Sequence, residues 1–480
     1  MKKWTTIWIA ASVLVVLSCD RKFEDPNFEG GSADYSRFVA VGNSLTAGFA
    51  DGALYKSGQE NSFPSMVATQ LQSVGGASTF KQPLMADDFG GIPLVSPNVK
   101  LVLGYSTNCK GETGLGPVAS TTNPANPANG ASVAASGPYN NVGVPGAKVE
   151  HLLAPGYGDP ANLTLGLANP YYVRFASSTN STVLQDALLS NPTFFSLWIG
   201  NNDILGYATS GGEGGDPATP AGNFTAAYTA LVAGLTANGA KGVCMNIPDV
   251  TSIPFFTTVP YNGANLEQSL ATQLNQLFLF VADTFNAIAP GLGEQYRFNF
   301  QAGANAFLVE EPVSATNPLG IRQLKEGELI LLSVDQDAMR CEGYGVFDQS
   351  KFDPANPASA LAAISPLKDS DVLKASEIAK ISDHVASYNA TIKSVAESRG
   401  LAYADMNSVL ASVKENGFTF DGVTFQTTYV TGGTFSLDGV HLTPRGYAIA
   451  ANATIDAINL KYGGNIPKVS VTNYPGLAMP

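Results

Sequence analysis

Four short apolar runs, separated by long stretches of helical periodicity, leave this chain little choice of fold. Arg37-Phe38-Val39-Ala40-Val41 ends in Gly42, and Thr193-Phe194-Phe195-Ser196-Leu197-Trp198-Ile199 ends in Gly200. Lys241-Gly242-Val243-Cys244-Met245-Asn246-Ile247 and Leu401-Ala402-Tyr403-Ala404-Asp405-Met406 are the other two. Between the runs, helical patterns cover 181–190, 223–238, 265–288 and 371–398. Near-continuous apolar strands are buried on both faces, and strands alternating with helices build a parallel sheet covered on both sides. The expected fold class is therefore α/β. Hydrophobic residues at 45% are ample for such a core. A chain of 480 residues is long for one domain, so either two or three domains or one domain with large insertions is expected.

Two stretches break the alternation. Residues 50–135 are rich in Gly, Ser, Asn and Pro and contain the small repeat Asn123-Pro124-Ala125-Asn126-Pro127-Ala128. Residues 292–370 hold β-like pieces such as Glu328-Leu329-Ile330-Leu331-Leu332. Loops this long usually cover a functional site, so both are expected as insertions around its mouth, within a domain spanning 35–465 and followed by a tail, 466–480.

The start of the chain speaks to location. Lys2-Lys3 precede an apolar run from Ile7 to Leu17, and Val16-Leu17-Ser18-Cys19 closes it. The run is too short for a permanent membrane span, so 1–18 is expected to be a cleaved signal peptide. Its end resembles a bacterial lipobox, in which Cys19 becomes the lipidated first residue of an envelope lipoprotein, expected at the outer membrane. Residues 19–34, polar and Gly-rich, would then be a flexible tether, and the membrane would be reached through the lipid alone. A formal net charge of −13 with no Lys/Arg cluster argues against nucleic acid as a partner. Besides Cys19, Cys109 and Cys341 lie in loop-like sequence and could pair in an oxidising compartment, while Cys244 sits in a strand pattern and is expected to be a buried thiol.

The chemistry-bearing residues follow the strands. Ser44 comes directly after Gly42-Asn43, and Asn202 after Gly200-Asn201. Near the other end, Asp438 and His441 stand three apart before Thr443-Pro444, a helix N-cap followed by proline at the first helical position. A serine hydroxyl needs a base, the base needs an orienting acid, and the developing oxyanion needs donors. Ser44, His441, Asp438 and Asn202 are residue types that fill those four roles. Only three histidines compete for the base. His384 lies on an amphipathic helix as an expected solvated residue, and His151 is expected to pack locally. No Gly-x-Ser-x-Gly elbow, His-Glu-x-x-His or Gly-Lys dipeptide occurs, so neither an α/β-hydrolase elbow, a zinc hydrolase nor a P-loop is supported, and no metal or other cofactor is expected.

Gly42-Asn43-Ser44-Leu45, Asn141-Val142-Gly143-Val144-Pro145-Gly146, Gly200-Asn201-Asn202-Asp203 and Asp438-Gly439-Val440-His441 resemble, in order, the four sequence blocks of the GDSL or SGNH hydrolases. The resemblance spans residues 38 to about 460, interrupted by the two insertions. It implies Ser44 as nucleophile, His441 as base and Asp438 as its partner, with an oxyanion hole of the Ser44 and Gly146 main-chain N–H groups and the Asn202 amide. It also implies a three-layer α/β/α sandwich around a five-stranded parallel sheet. Asn43 stands where the family's name-giving Asp does, a change expected to alter local hydrogen bonding rather than chemistry. The leading expectation is a carboxylic-ester hydrolase working through an acyl-enzyme. Two alternatives stay open: a carbohydrate esterase that removes acetyl groups from glycans, and an inactive lipoprotein that binds glycan or lipid.

Overall fold

The computed structural model describes residues 27–212, 215–356 and 359–477, so the expected signal peptide, Cys19 and the first part of the tether lie outside the described residues. Five short strands form one parallel sheet: β1 (Phe38–Gly42), β2 (Asn141–Gly143), β3 (Phe194–Trp198), β4 (Lys241–Met245) and β5 (Ala402–Ala404), in the order β5-β4-β3-β1-β2. Gly42 pairs with both Gly143 and Trp198, so the ends of β1, β2 and β3 are level. Because the strands are parallel, whatever follows them emerges along one edge of the sheet, which is where open α/β sheets place their sites. The chain is α/β, as its alternation implies. β2 was not legible as a strand, since three residues flanked by Asn140 and Val144-Pro145 carry no periodicity to read.

The main helices are α1 (Ser44–Ala47), α2 (Phe63–Leu71), α3 (Val183–Leu188), α4 (Asn202–Thr209), α5 (Ala221–Thr236), α6 (Gln268–Ile288), α7 (Ala375–Ser398), α8 (Met406–Asn416) and α9 (Pro444–Tyr462). Successive strand side chains go to opposite faces, and two apolar clusters show it. Val39, Val41, Phe195, Leu197 and Cys244 pack with Leu231 and Val232 of α5 and Ile381 and Ile392 of α7. Phe38, Ala40, Phe194, Val243 and Met245 pack instead with Phe63 and Val67 of α2 and Ile455 and Ile458 of α9.

A third cluster stands apart from the sheet. The helix expected over 265–288 is present as α6, but its buried face (Leu274, Phe278, Val281) packs with Tyr296, Phe300, Leu308, Ile330 and Leu367. The second insertion thus has its own small core and takes α6 with it. An apolar helical stripe says that a helix needs a partner, not which partner. In the first insertion, Leu101–Thr107 and Thr113–Ala119 form an antiparallel hairpin. Cys109 at its turn is disulfide-bonded to Cys341, 232 residues away with a Cα–Cα distance of 6.3 Å, which ties the two insertions together. Cys244 is a buried thiol, as its strand position implies.

Both ends of the described chain are docked. Ser32 N–H donates to Tyr462 O (2.8 Å) and Asn465 N–H to Glu29 O (2.9 Å), so residues 29–32, within the expected tether, lie against the end of α9. In the expected tail, Ile466, Val469 and Val471 are buried in the second cluster.

Candidate active site

Gly42 closes β1 where no side chain fits: a Cβ there would stand 2.2 Å from both Trp198 O and Thr46 Oγ1. The chain turns at once into α1. Asn43, fully buried, accepts the Leu45 N–H (3.1 Å) as N-cap and donates to Asn201 Oδ1 (3.3 Å). The amide thus caps the helix as a carboxylate would, and its NH₂ makes a second bond that only a donor can make. Ser44 is set on the first turn beyond the sheet edge.

His441 reaches Ser44 from the far end of the sequence. Its Nε2 lies 2.9 Å from Ser44 Oγ, and its Nδ1 lies 2.8 Å from Asp438 Oδ2. The turn that carries the pair is stiff. Gly439 sits at φ 71°, and Asp438 Oδ1 accepts from Val440 N (2.9 Å), His441 N (2.8 Å) and Ser436 Oγ (3.0 Å). Burial alone would raise the Asp438 carboxyl, but His441 beside it and these N–H donors outweigh burial and hold it well below the usual carboxylate range. Thr443 then caps α9 by accepting the Gly446 N–H, with Pro444 at its first position, as the local sequence implies.

Asn202 opens α4, and its Nδ2 donates to Ala147 O (2.9 Å). An amide NH₂ carries two donors, so one N–H remains for another acceptor. The 144–149 loop is held from several sides. Asn169 Nδ2 donates to Pro145 O (2.8 Å), and Asp203 Oδ2 accepts the Val149 N–H (3.0 Å). Gly146 lies in this loop at φ 80°, a left-handed position that favours glycine. Asp203 itself is pushed up to about 6 by burial, its hydrogen bonds offsetting only part of that cost.

The other two histidines stay away from the serine. His151 accepts the Lys148 N–H at Nδ1 (3.1 Å) and stacks on Tyr157, the local packing its sequence implies. His384 was expected to be solvated; it is instead half-buried, with Nδ1 3.1 Å from Tyr388 OH.

A group of residues behind the triad escaped the sequence reading. Asp51 and Gly52 hold the turn that carries Asp438 through three crossing bonds. Asp51 N donates to Ser436 Oγ (2.9 Å), Leu437 N donates to Asp51 Oδ1 (3.0 Å), and Gly52 N donates to Asp438 Oδ2 (2.9 Å). Tyr55 OH completes Asp51 by donating to its Oδ2 (2.8 Å). Burial raises the Asp51 carboxyl, while the Leu437 N–H and Tyr55 hydroxyl oppose that rise. Asp51-Gly52 is a turn signal in the sequence, but nothing local links it to a residue nearly four hundred positions away. Phe49 lays its ring 4.6 Å from that of His441, and Tyr447 OH donates to Phe49 O (2.6 Å).

No family model, curated protein or solved structure matches the chain. The geometry therefore carries the chemical argument by itself. Of the residues singled out in the sequence, Ser44, Asp438 and His441 form one hydrogen-bonded relay. Ser44, His441 and Asn202 line one cavity, and Gly146 sits in the loop bonded to Asn202. Cys19 lies outside the described residues.

Proposed function

We propose that the protein is a serine ester hydrolase of the GDSL or SGNH type. The observation that carries this reading is the relay Ser44 Oγ–His441 Nε2 (2.9 Å) and His441 Nδ1–Asp438 Oδ2 (2.8 Å) at the carboxyl edge of a parallel sheet. In the first step His441 Nε2 takes the Ser44 proton as Oγ bonds to the ester carbon and the carbonyl π pair moves onto oxygen. The Ser44 and Gly146 N–H groups and the free N–H of Asn202 would bind that oxyanion. Collapse then expels the alcohol oxygen, which takes its proton from His441, and leaves the acyl group on Ser44. Water repeats the sequence and releases the acid. Asp438, ionised and hydrogen-bonded to Nδ1, orients the ring and stabilises the imidazolium.

Two further parts of the reading have support. Alternation of the strand side chains between two helix-bearing clusters favours a three-layer α/β/α arrangement. The disulfide between Cys109 and Cys341 suits an oxidising compartment, which agrees with export and with a lipoprotein anchored through Cys19.

Ser44→Ala is the deciding experiment. Hydrolysis of p-nitrophenyl esters by the purified protein should fall by several orders of magnitude, on the order of 10⁶ for loss of a serine nucleophile, with the circular dichroism spectrum unchanged. Wild-type turnover in the variant would sink the proposal.

A further inference from the structure

Beside the Ser44–His441 pair lies a cavity of about 90 Å³, reaching from the ends of β3 and β4 toward α8. One wall is the apolar stripe of α8: Met406, Val409, Leu410 and Val413. The spacing i, i+3, i+4, i+7 is one helix face. Met406, Leu410 and Val413 are buried, yet the stripe is not fully packed: its outer side borders the cavity. Phe435 and Ile449 line the cavity as well, and among the described residues no Asp, Glu, Lys or Arg side chain does. Ser44, His441 and Asn202 stand at the same cavity, so whatever enters it is in reach of the relay.

The lining discriminates between ester classes. A sugar brings several hydroxyls, and each one buried without a partner carries a desolvation cost. A methylene chain needs no partner and gains from leaving water. The acyl part of an ester is also the part that stays covalently on Ser44 after the alcohol has gone, so it needs a seat that opens at Ser44. We propose that this cavity holds the acyl chain, and that the protein prefers esters of straight-chain carboxylic acids longer than acetate over acetylated glycans. The inference rests on the hydrolase reading above and adds the substrate class to it.

The test is a chain-length profile on the full mature protein, using p-nitrophenyl esters from acetate to dodecanoate, n-alkyl acetates and acetylated xylan. Each methylene taken out of water should raise kcat/KM about fourfold, so hexanoate should exceed acetate on the order of 10²-fold. Val409→Trp fills the half-buried edge of the α8 wall and should lower the hexanoate-to-acetate ratio tenfold or more. Leu410→Ala enlarges the same wall and should move the preferred chain to greater length, which gives a second reading if the tryptophan variant does not fold. A profile that peaks at acetate, faster release of acetate from xylan, or a preference that follows the alcohol of the alkyl acetates would each overturn the proposal while leaving the hydrolase reading in place. A ratio unmoved in both folded variants would overturn the placement of the chain. Failure to turn over any ester would overturn both readings.

Discussion

Two carboxylates near the relay differ because their surroundings differ. Asp438 accepts N–H donors and faces His441, so it is held ionised. Asp51 is half-buried with fewer donors, and desolvation favours its protonated form. We expect Asp51→Ala to lower kcat roughly tenfold to hundredfold with little change in KM, because the Leu437 N–H loses its acceptor, the turn bearing Asp438 loosens and small misplacements at a reacting pair are costly. Steady-state kinetics on a single ester would check this, and an unchanged kcat would reduce Asp51 to a structural residue. Asp203 allows a thermodynamic prediction. Its folded value of about 6 lies above the ordinary aspartate value of 3.8, so the folded state binds a proton more tightly than the unfolded chain. Its contribution to stability is fully present below pH 3.8 and is lost as pH rises through about 6. Asp203→Asn should therefore match wild type near pH 4 and exceed it at pH 8, by up to about 3 kcal/mol. Urea unfolding at the two pH values measures the difference, and a constant offset would refute it. Ser44, Asn202, Asp438 and His441 were legible because their local sequence places each one at a strand end or in a tight turn. Asp51 was not, because its role exists only across the contact it makes.

At the scale of elements, the insertions depart furthest from what periodicity could reveal. The second insertion carries its own core around α6 and is joined to the start of α7 by a charged network. Arg322 holds Glu328 through two bonds (2.6 and 2.9 Å) and Glu311 through one (2.6 Å), and Lys374 reaches Glu311 and Asp369. Such a network desolvates its charges at a cost, so its effect is to fix one arrangement more than to add stability. The bridge from Cys109 to Cys341 is different, because it acts on the unfolded chain. Closing a loop of 232 residues removes denatured-state entropy worth roughly 5 kcal/mol in the chain-entropy account, an upper figure beside the usual 2–4 kcal/mol. Cys341→Ser should accordingly lower the denaturant midpoint, as thiol reduction should for wild type. Equal midpoints in oxidised and reduced protein would exclude a stabilising bridge.

For the whole molecule, the direction of the sheet separates the first described residues from Ser44. Ser32 O accepts from Lys241 Nζ (2.6 Å), and Tyr462 OH donates to Gly242 O (2.7 Å), so the first described residues dock where β4 begins. Ser44 lies beyond the opposite edge, where the strands end, about 16 Å away for a five-residue strand. The lipid anchor proposed at Cys19 would join the chain ahead of these docked residues. Among the described residues no helix is long and apolar enough to cross a membrane. Wild-type protein should fractionate with membranes, and Cys19→Ala should carry no lipid and keep the same kcat. Recovery of both in the soluble fraction, with an unmodified mature N-terminus, would dismiss the anchor. By itself the sequence determined the α/β class, four of the five strands of the sheet, the helices between them and the residue types of the relay, since each is written in local periodicity and turn chemistry. Only the tertiary structure decided that β2 completes the sheet, that α6 packs with the second insertion, that Cys109 meets Cys341, and that Asp51 braces Asp438. Those depend on which surfaces meet across hundreds of residues, and a local pattern states only that a face must be covered, not by what.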